Sequence, residues 1–274
     1  MRNMATRKFR CKVCGYVHEG DSAPDKCPVC QAPASEFEEV TEGKPDKKLN
    51  TNSNTYTIVY AAVMVIVVAF LLAFVNSGLR DKQDENIRLD TKKQILSSLG
   101  ITSDNAGADY DRYVKRDVLI DPATGMETEE VPAADFSTNY DNEAKAGRLH
   151  VFVCDVDGET KYVIPVNGAG LWGAIWGYVA LDADKQTVYG TYFSHASETP
   201  GLGAEIAGEA FQDQFNGKKV MDGGNVALSV VKHGTSEGSE FKVDGISGGT
   251  ITSDGVNNML HTCLHNYVNF LTAK

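Results

Sequence analysis

Residues 58–75 read IVYAAVMVIVVAFLLAFV, eighteen positions without a polar or charged side chain apart from the Tyr60 hydroxyl. No formal charge occurs between Lys48 and Arg80. At 1.5 Å per helical residue this run spans a hydrocarbon layer of about 30 Å. A buried core helix would keep at least one polar face over five turns, and this run keeps none. A cleavable signal sequence would lie at the start, whereas here more than fifty residues precede the run. The reading is one permanent membrane helix, assigned to residues 49–80, which splits the chain into a small module at 1–48 and a larger domain at 81–274.

The split is also one of charge. The chain holds 26 Lys and Arg against 37 Asp and Glu in 274 residues, a net charge of −11. Residues 1–57 carry a net +1 and the remainder −12. Such an acidic balance argues against nucleic acid as a partner, because neutralising phosphates takes a basic face. Six cysteines are too few for a disulfide-stapled secreted scaffold. Lys44, Lys47 and Lys48 on one side of the run are matched by Arg80, Lys82, Arg88, Lys92 and Lys93 on the other. Charge therefore leaves the orientation open.

Outward from the run, Thr41 to Asn54 is polar, holds one proline and reads as a linker. Ile87, Ile95, Leu96 and Leu99 recur at roughly helical spacing, and Gly100 is placed to end that helix. The pattern then becomes strand-like. Leu149 to Val153 and Tyr162 to Val166 flank an Asp157-Gly158 turn, a strong hairpin signal. Tyr178 to Leu181 and Thr187 to Phe193 flank a second turn, and Val226 to Val231 reads as another strand. Val256, Met259, Leu260, Cys263, Leu264, Tyr267, Val268 and Leu271 form one apolar face of a closing helix. Strands gathered before a closing helix predict an α+β domain. Cys154 and Cys263 read as buried thiols, and His195 and His233 as structural histidines.

Cys11-x-x-Cys14 and Cys27-x-x-Cys30, twelve residues apart, form two knuckles able to present four sulfurs to one tetrahedral metal, Zn²⁺ or a single iron. Gly15 supplies the positive φ that turns backbone amides toward the sulfurs, and Pro28 stiffens the second knuckle. Residues 9–38 resemble the rubredoxin-like module of rubrerythrins through Cys11-x-x-Cys14-Gly15-Tyr16, Ala23-Pro24, Cys27-Pro28-x-Cys30, Ala32-Pro33 and Phe37. The resemblance implies one iron acting as a one-electron carrier, with a zinc ribbon as the alternative. It also favours a reducing, cytoplasmic setting for the module. Gln31 departs from the pattern, since many rubredoxins carry a second glycine there.

In the larger domain, Asp244-Gly-Ile-Ser247-Gly248-Gly-Thr250 leads into the closing helix. A glycine pair beside hydroxyls lets backbone approach a phosphate, and a helix N-terminus offers unpaired amides and a favourable dipole. Asp244-x-x-Ser247-Gly248-x-Thr250 resembles the acceptor motif of FMN-binding domains whose flavin is phosphoester-linked to threonine. The resemblance implies FMN on Thr250, attached by a separate flavin transferase that uses Mg²⁺ and FAD and reads Asp244, Ser247, Gly248 and Thr250. Gly249 stands where alanine is usual, and Thr252 and Ser247 are the alternative hydroxyls. Asn167 to Gly173 and His195 to Ala204 resemble that family's flavin-contacting loops. From these loops and the acceptor motif, Leu171, Trp172 and Leu202 would give flat apolar contact, Gly201, Gly203 and Gly248 room for the ring, and Glu198, Thr199 and Ser247 polar contacts.

The helix at 58–75, the stretch 83–99, both loops and the acceptor motif together resemble the C-subunit family of sodium-translocating NADH:quinone oxidoreductases. The G-subunit family of the ferredoxin–NAD electron-transport complexes shares the anchor and the acceptor motif. The fused rubredoxin-like module departs from the usual form of both. The resemblance implies an electron-transfer protein in a bacterial inner membrane, partnered by the other subunits of its complex. It would relay electrons between iron–sulfur and flavin centres toward quinone, with its flavin domain periplasmic and its first module cytoplasmic. The membrane run carries no ionisable residue, so conduction of Na⁺ is expected to lie in the partner subunits. A stand-alone NAD(P)H reductase is disfavoured, because no Gly-x-Gly-x-x-Gly both follows a strand and opens a helix.

Overall fold

The computed structural model describes residues 7–40, 53–131 and 140–273. The linker expected at Thr41 to Asn54 lies almost wholly outside the described residues. Contacts divide the chain into two compact units, Met1–Val75 and Asn76–Lys274.

In the first unit, β1 (Arg7–Cys11), β2 (Val17–Gly20) and β3 (Phe37–Glu39) form an antiparallel sheet in the order β2-β1-β3. Cys11, Cys27 and Ala32 are its buried centre, with Tyr16, Cys30 and Phe37 packed against them. So small an apolar cluster cannot hold a module of this size by itself, which leaves the four-sulfur site as the structural centre.

Helix α1 (Asn54–Ser98) is 45 residues long, about 68 Å at 1.5 Å per residue. The sequence predicts a membrane helix and a separate later helix over Asn86 to Leu99. In the structure they are one helix: Asn76 to Glu85 contains no proline, and Leu79, Arg80, Lys82, Gln83 and Glu85 favour helix over the weaker Asn76, Gly78, Asp81 and Asp84. None of its most apolar stretch is buried, so the helix is long and apolar enough to cross a membrane. Gly100, at φ +72°, follows its end in the left-handed conformation that terminates helices.

In the second unit, α2 (Ala106–Tyr113) leads into β4 (Val114–Ile120) and β5 (Glu127–Val131), neither of which the sequence reading named. After α3 (Tyr140–Lys145) come β6 (Leu149–Val156), β7 (Glu159–Ala169), β8 (Ala174–Leu181) and β9 (Val188–His195). The six strands form an antiparallel sheet in the order β5-β4-β6-β7-β8-β9. Asp157 and Gly158 both take positive φ, +54° and +84°, the geometry of a two-residue hairpin turn. Both faces of the sheet are covered. Val151, Ile164, Val166, Ile175 and Val179 face a core shared with Val256, Met259, Leu260 and Leu264. Phe152, Cys154, Val163 and Tyr178 face the opposite way, toward Ile95, Leu96, Leu99 and Tyr110. Of the expected apolar stripe at 86–99, Ile95, Leu96 and Leu99 cap the second face, whereas Ile87 is exposed.

Beyond β9 the chain makes a 3-10 turn at Gly203–Ala207 and a short α4 (Glu209–Gln212). The strand expected at Val226 to Val231 is two pieces. In the first, β11 (Asn225–Val226) pairs with β10 (Met221–Asp222); in the second, β12 (Ser229–Val231) runs parallel to β13 (Lys242–Asp244). The break falls at Ala227 and Leu228, whose amides both turn back to the Val220 carbonyl. The closing helix is also broken, into α5 (Thr250–Asn266) and α6 (Val268–Thr272). Tyr267 sits at the break, where its buried hydroxyl donates to the His150 carbonyl at 2.9 Å.

Candidate functional site

Three pieces of the second unit converge at one end of the sheet: the β7–β8 turn, the loop after β9 and the first turn of α5. They line a hollow of about 430 Å³ formed by Leu171, Trp172, Glu198, Thr199, Leu202, Gly203, Gly248, Gly249, Thr250, Ile251 and Thr252. Eight of the residues expected from sequence are therefore brought together from segments up to 79 positions apart, Leu171 to Thr250. Gly201, Ser247 and Asp244 are not among the lining residues. Gly201 takes φ +76° and gives its amide to Glu205 Oε1, which shapes the loop. Ser247 is exposed beside the hollow. Asp244 ends β13, where its carboxylate accepts the amides of Thr235 and Ser236 at 3.0 and 2.9 Å. Partial burial opposes its ionisation, but the Ser236 and Thr235 groups outweigh that and hold the carboxyl below its ordinary range.

The wall is apolar and open. Leu171, Trp172, Leu202 and Ile251 are 47%, 66%, 43% and 58% exposed, a density of bare apolar side chains that marks a ligand or partner surface. Neither Leu171 nor Trp172 fills core. Ile251 escaped the sequence reading, since one apolar residue on the first turn of an amphipathic helix carries no sign of its exposure.

Glycines set the shape. Gly248, at φ +78°, turns the chain into the helix, and Gly249 is its N-cap with no side-chain capping bond. The amides of Thr250, Ile251 and Thr252 open α5 and have no intrahelical acceptor. That arrangement suits a phosphate group, and the apolar hollow beside it suits a flat ring, so the residues present fit FMN. The sequence Gly168-x-Gly170-x-x-Gly173 has dinucleotide-fingerprint spacing but forms the β7–β8 turn and opens no helix.

Three hydroxyls compete for the role of acceptor, and their surroundings separate them. Thr250 lines the hollow and is exposed. Thr252 also lines it but is 2% exposed, with its hydroxyl donated to Glu198 Oε2 at 2.6 Å. Ser247 is exposed outside the hollow. Glu198, expected at the edge of a ring, is instead buried, and its Oε1 accepts the Trp172 amide at 2.8 Å. Burial works against its charge, yet the Thr252 hydroxyl and the Trp172 and Gly173 amides together hold its pKa below the usual carboxylate range. Of the two histidines, His195 Nδ1 accepts the Glu198 amide and His233 Nδ1 donates to the Gly245 carbonyl, structural roles for both. Cys154 is buried, with burial pushing its thiol up to about 12, and Cys263 Sγ is bonded to the Asn167 backbone.

In the first unit the ligand atoms of Cys11, Cys14, Cys27 and Cys30 lie within 4.8 Å of one another. The Cys11–Cys30 and Cys14–Cys27 sulfurs are 3.7 and 3.5 Å apart. Tetrahedral binding at metal–sulfur distances of about 2.3 Å needs sulfurs about 3.8 Å apart, so the four thiolates fit one Zn²⁺ or one iron. The Gly15 and Gln31 amides close equivalent turns onto the Cys11 and Cys27 carbonyls at 2.9 Å. Gln31 takes φ +62°, the left-handed value that Gly15 takes at +77°. The departure from glycine therefore leaves the knuckle intact at a local steric cost of about 1–2 kcal/mol.

The family model for the FMN-binding domain matches residues 170–265, and that for the rubrerythrin, rubredoxin-like domain matches residues 9–38. The C subunit of the Na(+)-translocating NADH-quinone reductase of Vibrio parahaemolyticus is 32% identical over 234 residues, covering 76% of this chain and 89% of that protein. The corresponding C subunit of Yersinia pestis is 30% identical, covering 78% and 89%. Among solved structures, the C subunit of the same reductase from Parabacteroides distasonis matches with a TM-score of 0.64 at 43% identity, covering 71% of this chain and 96% of that one.

Proposed function

Because the chain belongs to the family of C subunits of Na(+)-translocating NADH-quinone reductases, we propose that it carries FMN covalently on Thr250 as a membrane-anchored one-electron relay. The family makes it an electron-transfer subunit of an oxidoreductase complex, working beside the complex's other subunits. The observation that carries the attachment site is the contrast among hydroxyls. Of Ser247, Thr250 and Thr252, Thr250 alone both lines the hollow and stands exposed.

Attachment is a transesterification by a flavin transferase. The Thr250 oxygen bonds to the FMN-side phosphorus of FAD, the pyrophosphate bond breaks, AMP leaves, and the hydroxyl proton passes to the transferase or solvent. The open amides of α5 would hold the phosphoester, and Leu171, Trp172, Leu202 and Ile251 would give a ring apolar contact. When bound, FMN supplies the capacity to take and release electrons singly. Asp244 shapes the 234–236 loop from outside the hollow, where a transferase reads the acceptor segment.

Four thiolates with a rubredoxin-like sequence around them favour iron in the first module. Exposed Val13 and Val29 and the exposed Cys14 leave little protein between such a metal and a partner. The module lies in the cytoplasm and the flavin domain in the periplasm, with α1 crossing the inner membrane. The electron route runs from iron–sulfur centres in the membrane subunits, through the flavin, toward a neighbouring flavin and quinone.

In-gel flavin fluorescence after denaturing electrophoresis tests the core of this reading, on the native chain and on Thr250→Val, each co-expressed with an active flavin transferase. A fluorescent native band that is lost in Thr250→Val is expected. A dark native band, with the transferase active on a control, would overturn covalent attachment. A visible absorption band of a ferric tetrathiolate is expected from the first module, and a colourless zinc-loaded protein would make that module structural.

A further inference from the structure

Two donors converge on the Glu198 carboxylate: the Trp172 amide on Oε1 at 2.8 Å and the Thr252 hydroxyl on Oε2 at 2.6 Å. An ionised carboxylate accepts both, one on each oxygen. The carboxylate is 4% exposed and forms no ion pair with Lys or Arg among the described residues. Its hydrogen bonds offset the cost of burial, and with no Lys or Arg to neutralise it the carboxylate stands as a net negative charge in the wall of the hollow. The space around it is reserved. A Cβ at Gly170 would lie 2.5 Å from Glu198 Oε1, and one at Gly203 would lie 2.6 Å from Oε2.

We propose that Glu198 is a positioning residue with an electrostatic duty: it ties the Trp172 turn to α5, and its fixed negative charge lowers the reduction potential of the flavin carried at Thr250. The inference rests on the attachment reading above. An electron reaching the hollow brings negative charge close to the carboxylate, and in surroundings poorer in water than bulk their repulsion is weakly screened. The oxidised form is favoured whichever way the ring lies, because the sign depends only on the added charge. A lowered potential makes the site a relay that hands its electron on rather than a sink. The same carboxylate holds the Thr252 hydroxyl, which leaves Thr250 as the free acceptor.

The test is a potentiometric titration of the flavin, with in-gel fluorescence and thermal unfolding alongside, on the native chain, Glu198→Gln and Glu129→Gln, all co-expressed with a flavin transferase. Glutamine keeps the Trp172 contact, and the Thr252 hydroxyl can reverse to accept from its amide group. The expected result is a flavin potential more positive in Glu198→Gln than in the native chain, with attachment retained. No shift is expected in Glu129→Gln, on the exposed strand β5. Flavin retained at an unshifted potential in Glu198→Gln would overturn the proposal while leaving the attachment reading intact. Loss of attachment in a folded Glu198→Gln would also overturn it and make Glu198 an attachment residue. A native chain without flavin removes both readings. Should Glu198→Gln not fold, the pair Glu198→Leu/Thr252→Val, apolar on both sides, carries the same expectation of an upward shift.

Discussion

A methyl group added at Gly203 would run into the Thr252 hydroxyl and a Glu198 carboxylate oxygen, both buried and already bonded to each other. Neither can swing away without losing that bond, so the cost is one of overpacking, about 1–3 kcal/mol. We expect Gly203→Ala to lower the melting temperature of the purified chain and to reduce the fraction carrying flavin. Differential scanning fluorimetry and in-gel fluorescence read the two effects separately. An unchanged melting temperature would mean that the loop after β9 yields more easily than its contacts suggest. Gly201 makes the contrasting case, since it is needed for its positive φ and nothing lies within 4 Å of a Cβ there.

At the scale of elements, α5 spans the sheet from the hollow at its first turn to Tyr267 at its last. Val256, Met259, Leu260 and Leu264 are buried against the sheet, so the position of Thr250 is set by packing along the whole helix. The Tyr267 hydroxyl bond to the His150 carbonyl pins the far end, and burial raises the tyrosine's pKa far above its ordinary value. Tyr267→Phe would leave that buried carbonyl without its hydroxyl donor, at a cost of about 1–3 kcal/mol. For a domain of this size that corresponds to a fall in melting temperature of roughly 2–4 °C per kcal/mol. Calorimetry of the native and Tyr267→Phe chains checks it, and equal melting temperatures would show that another donor replaces the hydroxyl.

For the whole molecule, the question is on which side of the membrane each unit lies. Our reading predicts that a membrane-impermeant thiol reagent applied to intact spheroplasts labels Asp157→Cys, at an exposed hairpin turn of the second unit. Glu19→Cys in the first module should react only after permeabilisation. Labelling of both sites in intact spheroplasts, or of Glu19→Cys alone, would refute the proposed orientation. From Asn54 to Leu79 helix α1 carries no acid, base or histidine, and our reading therefore expects Na⁺ coupling to lie in the partner subunits.

The four cysteines, the apolar run and the acceptor segment were legible in sequence because each is local: their meaning lies in spacing of a few residues and in the chemistry of the side chains. The Asp157-Gly158 hairpin was legible for the same reason, since two adjacent positive φ values are a property of two residues. Strands β4 and β5 were not, because β5 reads ETEEV, an acidic edge strand with no apolar alternation. The fusion of two expected helices into α1 was hidden because a charged, solvent-facing stretch such as Asn76 to Glu85 can be helix or loop, and helical ends on both sides decide it. Sequence by itself determined a four-cysteine rubredoxin-like module, a helix long and apolar enough to cross a membrane, and an FMN-binding domain. Only the tertiary structure decided that Glu198 is buried against Thr252, 54 positions away, and that Thr250 is left exposed. Burial and hydrogen bonding between distant segments follow from how the sheet and α5 pack, and no local pattern encodes them.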